Sequence, residues 1–266
     1  MLTNYFIGCW GGRRWDYLDG NLFIKKHLEQ LCLIEHNLDL ITIGYPYCDH
    51  EPKYYSDFMK FIKKQGQLAD GTPVDVIHVE NIGMSYGQFS KAFEKYKDEF
   101  DYYIFTEDDY PPILSNFDEV LIDIYQRKNV GYLCGLVVDE NGYFGKNVIR
   151  HGAISTGIFN IECLLRIYEK FGEIPHKTTG AAFWSQINFT RSPIDVGYEI
   201  GHYIDEFRVL FWDHQNICVY GNPKKKDIFV PIQFLEFPDL HSYSLYDEKG
   251  SYKTYGHNYF KFPWHL

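Results

Sequence analysis

With 266 residues, 45% of them apolar and 23% charged, the chain can fill a sizeable core and is too apolar to be disordered. Its formal charge of −10 argues against general nucleic-acid binding, which depends on Lys and Arg neutralising phosphates, and the one dense basic run, Lys224-Lys225-Lys226, reads as a solvated loop. No apolar run approaches the roughly 18 residues of a membrane helix, and the first six residues have neither a basic region nor a long apolar stretch, so a cytoplasmic setting is expected.

The six cysteines, Cys9, Cys32, Cys48, Cys134, Cys163 and Cys218, are widely spaced and form no CxxC pair, which argues against a structural zinc site. Several lie in apolar segments, as free buried thiols do, and a reducing compartment is expected. The 23 Tyr and 21 Phe would suit sugar rings, but a bias in composition accounts for them equally well.

In chain order, residues 4–9 read as a short buried strand that runs into the turn-forming Trp10-Gly11-Gly12-Arg13-Arg14. Residues 21–36 read as a helix with Ile24, Leu28 and Leu31 on one face. A second buried strand over 39–45 is ended by Pro46; 54–65 reads as a helix and 74–79 as a third strand. The next helix, 85–99, carries Phe89, Ala92, Phe93 and Tyr96 at the spacing of an apolar face. Residues 102–106 form a fourth strand, followed at once by Glu107-Asp108-Asp109. Further on, 116–127 reads as a helix, 130–138 as a strand, 152–159 as a loop entering a strand, and 161–171 as a helix with Leu164, Leu165 and Tyr168 inward. Beyond Gly172 loops are expected to dominate, apart from short strands near 217–220 and 228–230, and the tail from Leu240 reads as a lid or a packed surface extension.

Strand and helix alternate without a linker or repeat, which predicts a mostly parallel sheet covered on both faces. In such sheets ligands bind beyond the carboxyl ends of the strands. Three adjacent acids at such an end repel one another unless a cation or hydrogen-bond donors compensate them, and hard cations such as Mg²⁺ and Mn²⁺ favour these oxygens. Pro111-Pro112 forces a turn just after Tyr110. Taken alone, the triplet would also read as a solvated acidic turn.

The segment NIGMSYG at 81–87, a helix, and DYYIFTEDD at 101–109 together resemble the core of GT-A-fold glycosyltransferases, especially the family-2-like group. In that group an Asn-x-Gly loop, a helix and an apolar strand ending in a DxD-type motif follow in the same order. The resemblance spans roughly residues 1–165. It implies a GT-A-like (Rossmann-like) α/β fold, with a mostly parallel central sheet and helices on both faces. A single domain over 1–266 would comprise a nucleotide-sugar-binding half to about 112 and an acceptor-binding half with a C-terminal extension from about 113.

The implied activity is metal-dependent transfer of a sugar from a nucleotide-diphosphate sugar to a hydroxyl acceptor, a glycan by expectation, with inversion and with Mn²⁺ or Mg²⁺ as cofactor. By position, Asp109 would ligate the metal, Glu107 would contact ribose or the metal shell, and Asp108 holds the variable middle place. Glu at 107 departs from the commoner Asp. Gly11, Arg13 and Arg14 fall where the family binds the base and phosphates, and Asn81 and Gly83 where it shapes the nucleotide pocket. Ser155, Thr156 and Gly157 fall on the acceptor side, lining a sugar pocket or simply packing.

An inverting member needs a carboxylate to take the acceptor's proton. Asp195 is the first candidate and Glu199 the second, with Asp205 and Asp213 behind them; His214 and His241 are candidates for an added metal ligand. Two other readings stand beside this one. A sugar-phosphate nucleotidyltransferase carries a Gly-rich, Lys/Arg-containing signature that residues 8–14 only faintly suggest, and a non-catalytic carbohydrate-binding protein would need no base.

Overall fold

The structure is a computed structural model and describes residues 1–9, 21–47, 53–80, 82–138, 149–176 and 182–212. Its strands are β1 (Thr3–Gly8), β2 (Leu40–Tyr47), β3 (Val74–Glu80), β4 (Tyr102–Glu107), β5 (Tyr132–Val138), β6 (His151–Asn160) and β7 (Ile200–His202). Its helices are α1 (Asn21–Leu33), α2 (Lys53–Gln65), α3 (Met84–Tyr96), α4 (Phe117–Lys128), α5 (Ile161–Phe171), α6 (Ala182–Asp195) and α7 (Ile204–Leu210).

Apolar side chains at every second strand position divide between two layers, as a pleat requires. Tyr5, Ile7, Ile41, Ile43, Ile104 and Ile158 pack with Ile24 and Leu28 of α1, Ile62 of α2, Leu121 of α4 and Phe207 of α7. Phe6, Tyr103, Phe105 and Phe159 pack on the other face with Phe89 and Phe93 of α3, Leu164 and Ile167 of α5, and Phe189 of α6.

The seven strands form one sheet in the order β3-β2-β1-β4-β6-β5-β7. All neighbours are parallel except β6, which runs against both β4 and β5. The chain winds outward from β1 to β3 with α1 and α2 on one face. It then returns by α3 on the opposite face to lay β4 on the other side of β1. Right-handed crossovers require that change of face when the direction of winding reverses. The reversal leaves a topological switch point between the carboxyl ends of β1 and β4.

Several expectations are corrected. Helix α1 stops at Leu33 and the chain bends at Ile34, beyond which Glu35 O accepts from Asn116 N–H at 2.6 Å and Asn37 N–H donates to Asp118 Oδ2 at 2.8 Å. Pro46 does not end β2. Gly44 turns its carbonyl towards β1 and accepts from Cys9 N–H at 3.1 Å. Pro46, two residues on, turns the same way but lies beyond the last β1 pair, Gly8 with Gly44, so its missing N–H breaks no ladder. Residues 151–160 are strand throughout; α5 buries Cys163 and Ile167 along with the expected Leu164, and Leu165 and Tyr168, half-buried, pack inward against the same core as expected. Past Gly172, α6, β7 and α7 replace the expected loops. Helix α6 contains Pro193, which blurs its helical signal in sequence. The strands expected near 217–220 and 228–230 lie outside the described residues.

Candidate active site

The switch point is where the acidic triplet stands. The pairing of β1 with β4 runs to Gly8 and Glu107, and Asp108 N–H extends it by donating to Gly8 O at 2.9 Å. Tyr110 N–H then closes the turn on Glu107 O at 3.1 Å. Glu107 is half-buried, whereas Asp108 and Asp109 are 1% and 0% exposed.

Each face of the sheet contributes a helix to this turn. On the α3 face, Ser85 Oγ donates to Glu107 Oε1 at 2.5 Å. Three residues along the same helix, the Gln88 amide brackets the end of β1. Its Oε1 accepts from Cys9 N–H and its Nε2 donates to Cys9 O, both at 2.8 Å. A Cβ on Gly8 would meet Ser85 and Phe89 at 2.7 and 2.9 Å, and one on Gly44 would meet Gln88 at 2.7 Å, so glycines on both strands let α3 sit close. On the α1 face, His27 lies between Tyr5 Oη, 2.8 Å from Nε2, and the Asp108 carbonyl, 3.2 Å from Nδ1. Burial holds this imidazole down to about 3, against the opposing pull of the Asp108 carbonyl and the Asp109 charge, so it is neutral. Burial also raises the Tyr86 hydroxyl well above the ordinary tyrosine range, and the Glu107 charge adds to this.

Gly83 has φ 74, a left-handed conformation that favours glycine, and His176 packs over it: a Cβ there would meet His176 Cδ2 at 2.8 Å. Gly83 therefore shapes the turn into α3. Ser155, Thr156 and Gly157 pack in the core instead of lining a pocket. Tyr86 Oη donates to Ser155 Oγ at 3.0 Å, the Thr156 and Thr106 hydroxyls lie 3.1 Å apart, and a Cβ on Gly157 would come within 2.1 Å of Leu133 O.

Asp195 and Glu199 do not join the triplet. Both lie in the passage from α6 to β7, at the opposite end of the sheet. Ile200 is level with Tyr132, Phe159 and Tyr103, near the start of β4, whereas Glu107 ends β4. Glu199 and Glu107 are thus separated by about 16 Å along the strands and about 14 Å across them. The Asp195 carbonyl accepts from Lys170 Nζ, and the Glu199 side chain is 79% exposed, 3.9 Å from Arg150. Asp205 is exposed in the first turn of α7, which follows β7 at the carboxyl edge. Gly11, Arg13, Arg14, Asn81, Asp213, His214 and His241 lie outside the described residues.

Among the described residues no group of three or more His, Cys, Asp or Glu is placed to hold a metal ion. Glu107 and Asp109 still offer hard carboxylate oxygens at one turn. That fits a Mg²⁺ or Mn²⁺ site completed by phosphate oxygens and water, because such ions take only one or two protein carboxylates. Cys9, Cys134 and Cys163 are buried and Cys32 is half-buried, and none of the four is in a disulfide. No helix among the described residues is long and apolar enough to cross a membrane.

Sequence reasoning passed over Tyr5, His27, Ser85 and Gln88. Two signals were present. His27 interrupts the apolar stripe of Ile24, Leu28 and Leu31, and Ser85 and Gln88 precede the apolar stripe of α3 on the same face.

No family model matches the chain, and no curated protein does. Among solved structures, TarS of S. aureus is 11% identical, with a TM-score of 0.51 over 80% of this chain; the chain spans 36% of that protein. The 4-diphosphocytidyl-2C-methyl-D-erythritol synthase of Anaerococcus prevotii is 11% identical, with a TM-score of 0.46 over 76% of this chain and 86% of its own. At these identities the likeness to TarS establishes architecture alone: a GT-A-like, Rossmann-like α/β fold built on a mostly parallel sheet.

Proposed function

We propose that the protein is a family-2-like GT-A glycosyltransferase that moves a sugar from a nucleotide-diphosphate donor to a hydroxyl acceptor, by preference on a glycan. One observation carries the reading: the acids Glu107, Asp108 and Asp109 stand at the β1/β4 switch point, where ligands of such sheets bind. Glu107 and Asp109 would hold Mn²⁺ or Mg²⁺, which when bound neutralises charge building on the diphosphate leaving group. Ser85 orients Glu107 by donating to its Oε1. An acceptor-side carboxylate takes the hydroxyl proton as that oxygen attacks the anomeric carbon opposite the diphosphate, inverting it. Asp205 is the first base to test, since it shares the carboxyl edge.

Calorimetric titration of UDP-, GDP-, CDP- and dTDP-sugars, with Mn²⁺ and with chelator, tests the proposal. One nucleotide class is expected to bind only with metal, and Asp109→Asn is expected to abolish that binding. Binding by no nucleotide, or binding indifferent to both metal and Asp109, would sink it. Asp195→Asn and Glu199→Gln are expected to leave turnover within about threefold, because each lies far from the triplet. The distance of these two acids also favours a second reading, a non-catalytic carbohydrate-binding protein on the same scaffold. That reading predicts sugar binding without metal dependence or turnover.

A further inference from the structure

We infer that Tyr5 and His27 form a positioning pair that fixes the acidic turn from the α1 face of the sheet by holding the Asp108 carbonyl through a single imidazole tautomer. This rests on reading Glu107 and Asp109 as the working acids. Tyr5 and His27 are both fully buried, so neither can substitute water for a lost partner. A backbone carbonyl only accepts, so the contact of Nδ1 with Asp108 O requires the proton on Nδ1. Nε2 of the neutral ring then only accepts, and Tyr5 O–H must donate to it. Polarity therefore runs one way, from Tyr5 through His27 to Asp108.

The consequence falls on the neighbouring acids. Asp108 is held on both sides, its N–H by Gly8 O and its C=O by His27. With the central residue fixed, the backbone that aims Glu107 and Asp109 has little freedom. Helix α1 thereby sets the direction of both carboxylates through the backbone between them, in the manner of outer groups that orient metal ligands.

The test uses the full-length chain with ¹⁵N-labelled histidine, Tyr5→Phe, His27→Leu and His27→Asn. Imidazole nitrogen resonances are expected to show His27 protonated on Nδ1 in wild type, and Tyr5→Phe, which removes one oxygen, is expected to release that preference. Hydrogen exchange at the Asp108 and Tyr110 amides is expected to quicken about fivefold to tenfold in His27→Leu, beyond any change at the β2/β3 ladder. His27→Asn, whose amide nitrogen can stand where Nδ1 stood, is expected to restore much of the protection. A His27 protonated on Nε2, or turn amides that move only in step with the β2/β3 ladder in both His27 variants, would overturn the inference and leave His27 a core residue. Nucleotide binding is measured separately. Its absence from wild type would remove the transferase reading, while tautomer and exchange still decide the positioning role.

Discussion

Gly87 shows how much of the site hangs on single atoms. A Cβ there would lie 1.8 Å from the Ile82 carbonyl and 3.2 Å from His176 Cδ2. The left-handed pair Gly83 and Met84, at φ 74 and 57, folds the entry to α3 back over this helical position, and only a hydrogen fits beneath it. Gly87→Ala must therefore open the turn that carries Ser85 to Glu107. It is expected to cost about 2–3 kcal/mol in urea unfolding and to weaken ligand binding at the triplet. Gly172 is the control: it too is left-handed, at φ 75, but a Cβ there meets nothing within 4 Å. Gly172→Ala is expected to cost about 1 kcal/mol, with binding unchanged.

At the scale of elements, α5 shows a boundary built from side chains. Asn160 ends β6 and caps α5, its Oδ1 accepting from Cys163 N–H at 2.9 Å, and Gly172 closes the other end as its N–H donates to Tyr168 O at 2.8 Å. Asn160→Ala removes the cap while keeping the β4 pairing through Tyr102, and is expected to lower unfolding free energy by about 1 kcal/mol. Helix α5 was legible from its apolar stripe alone. Helix α6 was not, because Pro193 sits inside it and its inward face mixes Ser185, Thr190 and Ser192 with Ile187 and Phe189. The Thr190 and Ser192 hydroxyls are absorbed by backbone partners: Gly152 N–H donates to Thr190 Oγ1 at 3.0 Å, and Ser192 Oγ donates to Phe189 O at 2.7 Å.

For the molecule as a whole, His27 couples folding to protons. Its folded value of about 3 lies below the ordinary 6.5, so between these values the unfolded chain binds the extra proton. Stability is then full above about pH 6.5 and falls as pH falls, by about 1.4 kcal/mol per unit. Asp118, pushed above its ordinary 3.8 by burial, acts in the opposite sense at lower pH. Urea unfolding of wild type and His27→Asn between pH 7 and pH 4.5 isolates the histidine. The wild type is expected to lose about 2 kcal/mol more than the variant across that range. Equal slopes would mean that the imidazole is protonated in the folded state.

Local pattern by itself determined the alternation of strand and helix as far as α5, the two-layered strands and the acids at the end of β4. Each depends on residues near one another in sequence, through the pleat's period of two and the helix's of 3.6. Only the tertiary structure decided the rest. Strand order set the triplet at a switch point and Asp195 and Glu199 at the opposite end of the sheet. The turn at Asp108 gathers partners from residues 8, 27 and 85, and no short-range period records which distant elements meet there. That meeting is fixed by crossover handedness and by glycines that let α3 approach, which are properties of the folded chain.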